Sequence, residues 1–183
     1  MGVGKNFFKI FFIFVSCAVY AQPYSVGSDT YEKEMKCLAE NIYFEARNEG
    51  LIGQIAIAYV TMNRVYSNRH PSTICDVVYQ GPIKESWATR ITPDPTDAVF
   101  YPIKNRCQFS WYCDGNPDRI YDKSAWKFSK EVAEMVSVEY KTARHNDPTH
   151  GAEWYHADYV SPYFHSTLEY TTTIGAHIFY KKD

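Results

Sequence analysis

The stretch "LIGQIAIAYVTMNRVYS", residues 51–67, constrains this chain more than any other. It is apolar nearly all round a helical wheel, interrupted only by Gln54, Thr61, Asn63 and Arg64. A surface helix carries one apolar stripe, whereas a helix without a polar face must be surrounded. Other helices therefore have to pack on it, and its polar residues need partners inside the core. Asn63 is the clearest case, and the preceding helix is the nearest segment to supply its partner.

That preceding segment, "CLAENIYFEARNEG", is amphipathic. Ser28, Asp29 and Thr30 offer capping oxygens near its start, and Gly50 is a natural stop. Met35, Leu38, Ala39, Ile42 and Ala46 recur at helical spacing. At about 100° per residue, Glu45 falls beside Leu38 at the edge of this stripe, and Glu49 falls there if the helix lasts that long.

Downstream, "TICDVVYQ" reads as a short helix or turn. Residues 81–106 carry Pro82, Pro93, Pro95 and Pro102 without a clear period, the mark of a long surface excursion. "RCQFSWYCDGNPD" follows as a loop between cysteines. A helix over Ser124 to Arg144 places Ala125, Phe128, Val132, Met135 and Val136 on one face. "GAEWYHADYV" and "TTTIGAHIFY" alternate, so each reads as a strand, joined by a hairpin through "SPYFHSTLEY". Trp154, His156 and Asp158 would share a face of the first strand; Gly175, His177 and Phe179 would share a face of the second. The fold class is α+β, a helical body with a small antiparallel hairpin or sheet.

The first 21 residues differ from the rest. Lys5 and Lys9 precede an apolar run from Ile10 to Tyr20 that ends on Ala21, the order of a cleavable export signal and short for a membrane span. An uncleaved anchor, or lipidation at Cys17, are the rival readings. Residues 22–28 read as a linker and 29–183 as one catalytic domain, exported to the periplasm, the envelope or beyond, touching membrane only through its signal. Net charge is −2 and no basic patch stands out, so nucleic acid is not an expected partner. Of five cysteines, Cys37, Cys75, Cys107 and Cys113 lie beyond the signal. An even number in an exported chain favours two disulfides, with Cys107–Cys113 plus Cys37–Cys75 the preferred pairing of three. Aromatics make up 17% of the chain, with 16 tyrosines; such rings fill cores but also stack on the apolar faces of sugars.

Glu45 carries the strongest chemical signal. Partial burial beside Leu38 and Ile42 disfavours its charged form and raises its pKa. A carboxylic acid that stays protonated near neutral pH can protonate the leaving oxygen of a glycosidic bond. The plainer alternative is a salt bridge to Arg64. Glu49 is a second carboxylate or a helix-end acid. Gln108, Ser110 and Trp111 are candidates to bind and stack on sugar, or else bond within their own loop. Tyr155 and His156 are candidates to line the cleft opposite Glu45, with His177 on the neighbouring strand. This reading needs no cofactor and no metal; an ion held by His156, Asp158 and His177 depends on the strand register.

"AENIYFEARNEGLIGQIAIAYVTMNRV", "TICDVVYQ", "CQFSW", "GAEWYH" and "IGAHIFY", in this order, resemble the cell wall hydrolase family of the spore-cortex-lytic enzymes. The resemblance spans most of residues 37–180. It implies a domain like lysozyme and lytic transglycosylases, with an essential glutamate at the end of the first helix, which "IYFEARNEG" carries to Glu45. The implied substrate is the peptidoglycan glycan strand, cut between N-acetylmuramic acid and N-acetylglucosamine; separately, the chain is expected to act as a monomer. The chain departs from the family pattern in its proline-rich excursion, its four cysteines and the absence of a separate wall-binding domain. A general wall lysin, such as a phage endolysin, fits as well as a spore-cortex enzyme.

Two other classes compete. An N-acetylmuramoyl-L-alanine amidase would need a metal set that is only weakly visible. A cysteine peptidase, with Cys107 or Cys113 attacking and His156 as base, would need a free thiol. A non-catalytic carbohydrate-binding module would explain the aromatics but not a carboxylate on an apolar helix face.

Overall fold

A computed structural model describes residues 26–91, 94–142 and 146–183. The signal assigned to residues 1–21 and most of the assigned linker lie outside the described residues. The linker's last part, 26–28, is the first turn of α1 (Val26–Ala46). A turn leads to α2 (Leu51–Val65), the buried helix expected from its composition. Gly50 acts as the extended N-cap of α2 rather than as a left-handed stop for α1.

The short α3 (Ile74–Val78) begins on Thr73, whose hydroxyl accepts from the Asp76 amide at 3.1 Å. Glu34 of α1 accepts from the Ile74 and Cys75 amides at 2.6 and 3.2 Å, so α1 caps α3 across space. The Cys37–Cys75 disulfide binds the same two helices, and Cys107–Cys113 closes the later loop. Asp122 caps α5 (Lys123–Thr142) by accepting from the Ser124 and Ala125 amides, each at 2.9 Å.

The buried face of α5 is Ser129, Val132, Ala133, Val136, Ser137 and Tyr140, which keeps Val132 and Val136 of the expected stripe but not the rest. Phe128 and Met135 are exposed. Small residues at this spacing let α5 lie close against α1 and α2, and tight packing outweighs the larger apolar surface of the flanking pair.

The excursion forms an arm. β1 (Ile83–Glu85) pairs antiparallel with β2 (Phe100–Pro102), and α4 (Trp87–Arg90) lies between them. The last region holds β3 (Trp154–Ala157), β4 (Glu169–Ile174) and β5 (His177–Lys181) in the antiparallel order β3-β5-β4. "TTTIGAHIFY" is therefore not one strand. It bends at Gly175, which has φ +56°, so Gly175 leaves the face assigned to His177 and Phe179. The segment 158–168 carries a 3-10 turn over Tyr163–Ser166 and joins β3 to β4, which are not neighbours, so the expected hairpin through it does not form.

Two cores result. The larger joins α1, α2, α3 and α5 through Leu38, Ile42, Tyr59, Val78, Val132 and Val136. The smaller joins the ends of α1 and α2 to the sheet through Ala46, Ile57, Val60 and Phe179. Tyr155 packs against both. The architecture is the expected α+β class. Among the described residues, no helix is long and apolar enough to cross a membrane.

Candidate active site

The seam between the two cores is where α1 ends. Glu45 sits there, half-buried, while Leu38 and Ile42 on the same side are fully buried. Burial pushes its pKa above the ordinary 4.5; a side-chain hydrogen bond with Tyr155 and the charge of Arg64 pull against that. Among the described residues no ion pair joins Glu45 to Arg64, so burial dominates. The site therefore favours a protonated carboxyl group already bonded to a tyrosine hydroxyl.

Strand register decides which residues meet it. Tyr155 stands opposite Phe179, and Ala157 opposite His177. Directly paired residues share a face, so Tyr155, His177 and Phe179 all turn toward the helices. The Tyr155 ring lies edge-on to His177, with centroids 5.2 Å apart. Burial and the negative charge of Glu45 push the Tyr155 phenol well above its ordinary range, so it remains a neutral donor. His177 Nδ1 lies 4.0 Å from Glu49 Oε1. Burial lowers the His177 pKa, and Glu49 and Asp158 partly counter it. Glu49 follows the end of α1, and its carboxylate packs on the Gly175 turn so closely that a Cβ there would collide with it. Glu45, Tyr155, His177 and Glu49 thus form one row.

The other candidates lie elsewhere. His156 projects from the opposite face of β3, stacked on Tyr180 with 5.4 Å between centroids. It does not line the Glu45 side, and with His177 on the other face the two rings do not converge on one ion. Asn63 is used internally. It donates to Asp147 Oδ2 and the Ala152 carbonyl, each at 2.9 Å, and accepts from the Tyr140 hydroxyl at 2.9 Å. Its partners are the 147–152 loop and α5, not the segment carrying Glu45. Trp111 is 8% exposed and donates its indole N–H to buried Asn41 at 3.0 Å, so the ring is held from the core side. Gln108 and Ser110 are exposed on the same disulfide-closed loop, anchored where the Gln108 amide donates to the Gln80 carbonyl at 2.8 Å.

Two grooves of about 300 and 290 Å³ share Phe44, Trp111 and Asp118. Neither is lined by Glu45. Their α1 residues (Glu40, Tyr43, Phe44 and Arg47) lie on the helix flank turned away from it, so these grooves do not hold the Glu45 carboxyl. Arg64 was weighed in the sequence only as a salt-bridge partner. A charged residue inside an almost wholly apolar helix was the signal that it has buried partners.

The sequence profile of the family described as Cell Wall Hydrolase matches residues 48–180. The chain belongs to the cell wall hydrolase family. The match opens just past Glu45 and does not include that residue. Two solved catalytic domains share the fold of this cell wall hydrolase. That of the Bacillus cereus SleB protein has 24% identity and a TM-score of 0.51, covering 82% of this chain and 91% of that one. That of the germination-specific lytic transglycosylase SleB from Bacillus anthracis has 24% identity and a TM-score of 0.53, covering 82% and 95%. A spore cortex-lytic enzyme of Bacillus cereus is 35% identical over 49 residues, which span 27% of this chain and 19% of that relative.

Proposed function

We propose that this cell wall hydrolase cuts the peptidoglycan glycan strand between N-acetylmuramic acid and N-acetylglucosamine, acting as a lytic transglycosylase outside the cytoplasm after loss of residues 1–21. The observation that carries the reading is Glu45: half-buried, held toward its protonated form, and bonded to Tyr155 at the seam of the two cores.

The steps follow from one carboxyl group. Glu45 gives its proton to the bridging oxygen as the bond from muramic C1 to that oxygen breaks. The departing sugar leaves with a hydroxyl group, and positive charge develops at C1. Glu45, now a carboxylate, takes the proton of the muramic C6 hydroxyl as that oxygen closes on C1. The product is a 1,6-anhydro sugar, Glu45 is protonated again, and no water is consumed. Tyr155 orients the carboxyl group through its hydrogen bond. Glu49 with His177, at the far end of the row, contacts the sugar.

The cysteine peptidase alternative loses support, because Cys107 and Cys113 are bonded to each other. The test is lysis of purified walls by Glu45→Gln. The amide cannot protonate the leaving oxygen, so the rate should fall by about 10²- to 10⁴-fold while the fold is retained. Near wild-type lysis would remove Glu45 from the chemistry.

A further inference from the structure

We propose that the two grooves on the flank of α1 turned away from Glu45 form one trough for the peptide stem of peptidoglycan, with the stem's free amine at Asp118 and its carboxylates at Arg119. The inference rests on the reading of the chain as an enzyme of the glycan strand, because the stem hangs from the muramic acid whose bond is cut.

The grooves enclose about 300 and 290 Å³, the size of the smaller ligand sites. They meet at Phe44, Trp111 and Asp118, which line both. Phe44 and Trp111 are stacked with centroids 4.6 Å apart, and the Trp111 indole is anchored to Asn41, so the shared wall is aromatic and fixed. Tyr79 and Tyr112, with centroids 4.7 Å apart, continue this wall along the first groove.

Charge divides the trough. The first groove is lined by two carboxylates, Glu40 and Asp118, and by no cation. Glu40 is already engaged: it accepts from the Tyr79 hydroxyl, and Lys36 Nζ lies 3.7 Å away. Asp118 is exposed, and among the described residues no hydrogen bond or ion pair engages its side chain. A free carboxylate beside aromatic rings suits an ammonium group, which the ring faces attract as well. The second groove adds Arg47 and Arg119. Arg47 lies 5.2 Å over the Tyr43 ring, whereas the Arg119 side chain has no hydrogen bond or ion pair among the described residues. A free guanidinium group is fitted to bind a carboxylate through paired hydrogen bonds.

An occupant that satisfies both ends carries both signs. N-acetylated sugars stack on rings but bring no charge to pair with Asp118 or Arg119. A stem peptide brings the amine of its diamino acid and free carboxylates. It also has the reach. An extended peptide covers about 3.3–3.6 Å per residue, so about three residues cross a helix that is about 10–12 Å wide with its side chains.

The test is calorimetric binding of N-acetyl-alanyl-γ-glutamyl-lysine, and of the same peptide acetylated on its lysine amine, to the purified protein. Acetylation removes the charge that Asp118 and the rings attract, so affinity should fall about tenfold. Asp118→Asn should weaken the unmodified peptide about threefold and leave the acetylated one unchanged, whereas Arg119→Gln should weaken both. On intact walls Asp118→Asn should raise KM and leave kcat alone, and on glycan strands stripped of their stems it should change neither. Equal binding of the two peptides, binding of neither, or a loss in Asp118→Asn that is as large on stem-free glycan overturns the inference. Peptide binding needs no cleavage, so the two readings fail separately. Lost peptide selectivity with Glu45→Gln inactive removes the trough and leaves the acid standing; an active Glu45→Gln removes the acid and leaves peptide binding as measured.

Discussion

Glu45 answers to two opposed demands. Its position at the seam favours the protonated form that acid catalysis uses, and the same placement works against the stability of the folded chain above the ordinary carboxylate range. The folded pKa is raised above 4.5. Glu45 therefore contributes stability that is fully present below the unfolded value and is lost as pH rises through the folded one. Glu45→Gln carries no such penalty. Its melting temperature relative to wild type should rise as pH passes upward from the ordinary carboxylate value of 4.5 and level off once pH exceeds the folded value, by about 2–4 °C for each kcal/mol in a chain of this size. Thermal melts across that range check it, and a gap that narrows with pH contradicts a raised folded pKa. The placement was legible in the sequence, since a helical wheel sets Glu45 beside Leu38. The partner was not singled out: the sequence set both Tyr155 and His156 opposite Glu45, although adjacent strand residues point to opposite faces, and register decides which face turns inward.

The helices of this chain announce themselves and its sheet does not. α1 and α2 follow from local periodicity, which needs no knowledge of distant residues. The sheet order β3-β5-β4 is set by pairing across a connection, and the sequence around Gly175 alternates straight through the turn. The stripe on α5 is legible at Val132 and Val136 but not beyond them, because hydropathy favours Phe128 and Met135 whereas close helix packing favours Ser129, Ala133 and Ser137. Gly175 carries a prediction at this scale. It has a left-handed φ of +56°, and an added Cβ would strike the Glu49 carboxylate. Gly175→Ala should lose about 1–3 kcal/mol in denaturant unfolding; a neutral outcome would mean that β4 and β5 turn in some other way. The disulfides give a second comparison. Cys37–Cys75 spans a separation of 38 residues and ties α1 to α3, whereas Cys107–Cys113 spans 6. Replacing the first pair by serines should lose about 2–4 kcal/mol, and replacing the second should lose less, because a short loop restrains the unfolded chain less. The reverse ranking would show that the α1–α3 link adds little.

At the scale of the whole molecule, a buried helix organises one core, a small sheet organises another, and the acid lies between them. Membership of the cell wall hydrolase family and the shared SleB fold agree with that plan. The exposed arm over 81–106 has no counterpart in the resemblance that pointed to the family, and the sequence marked it only as proline-rich and aperiodic. The central claim concerns the reaction, and it is tested most directly by mass spectrometry of the fragments released from purified peptidoglycan. One carboxyl group acting as acid and then base predicts muramic ends lighter by one water than the hydrolysed sugar and resistant to borohydride reduction. Fragments ending only in reducible muramic acid would contradict it, and a second acid such as Glu49 would then have to activate a water.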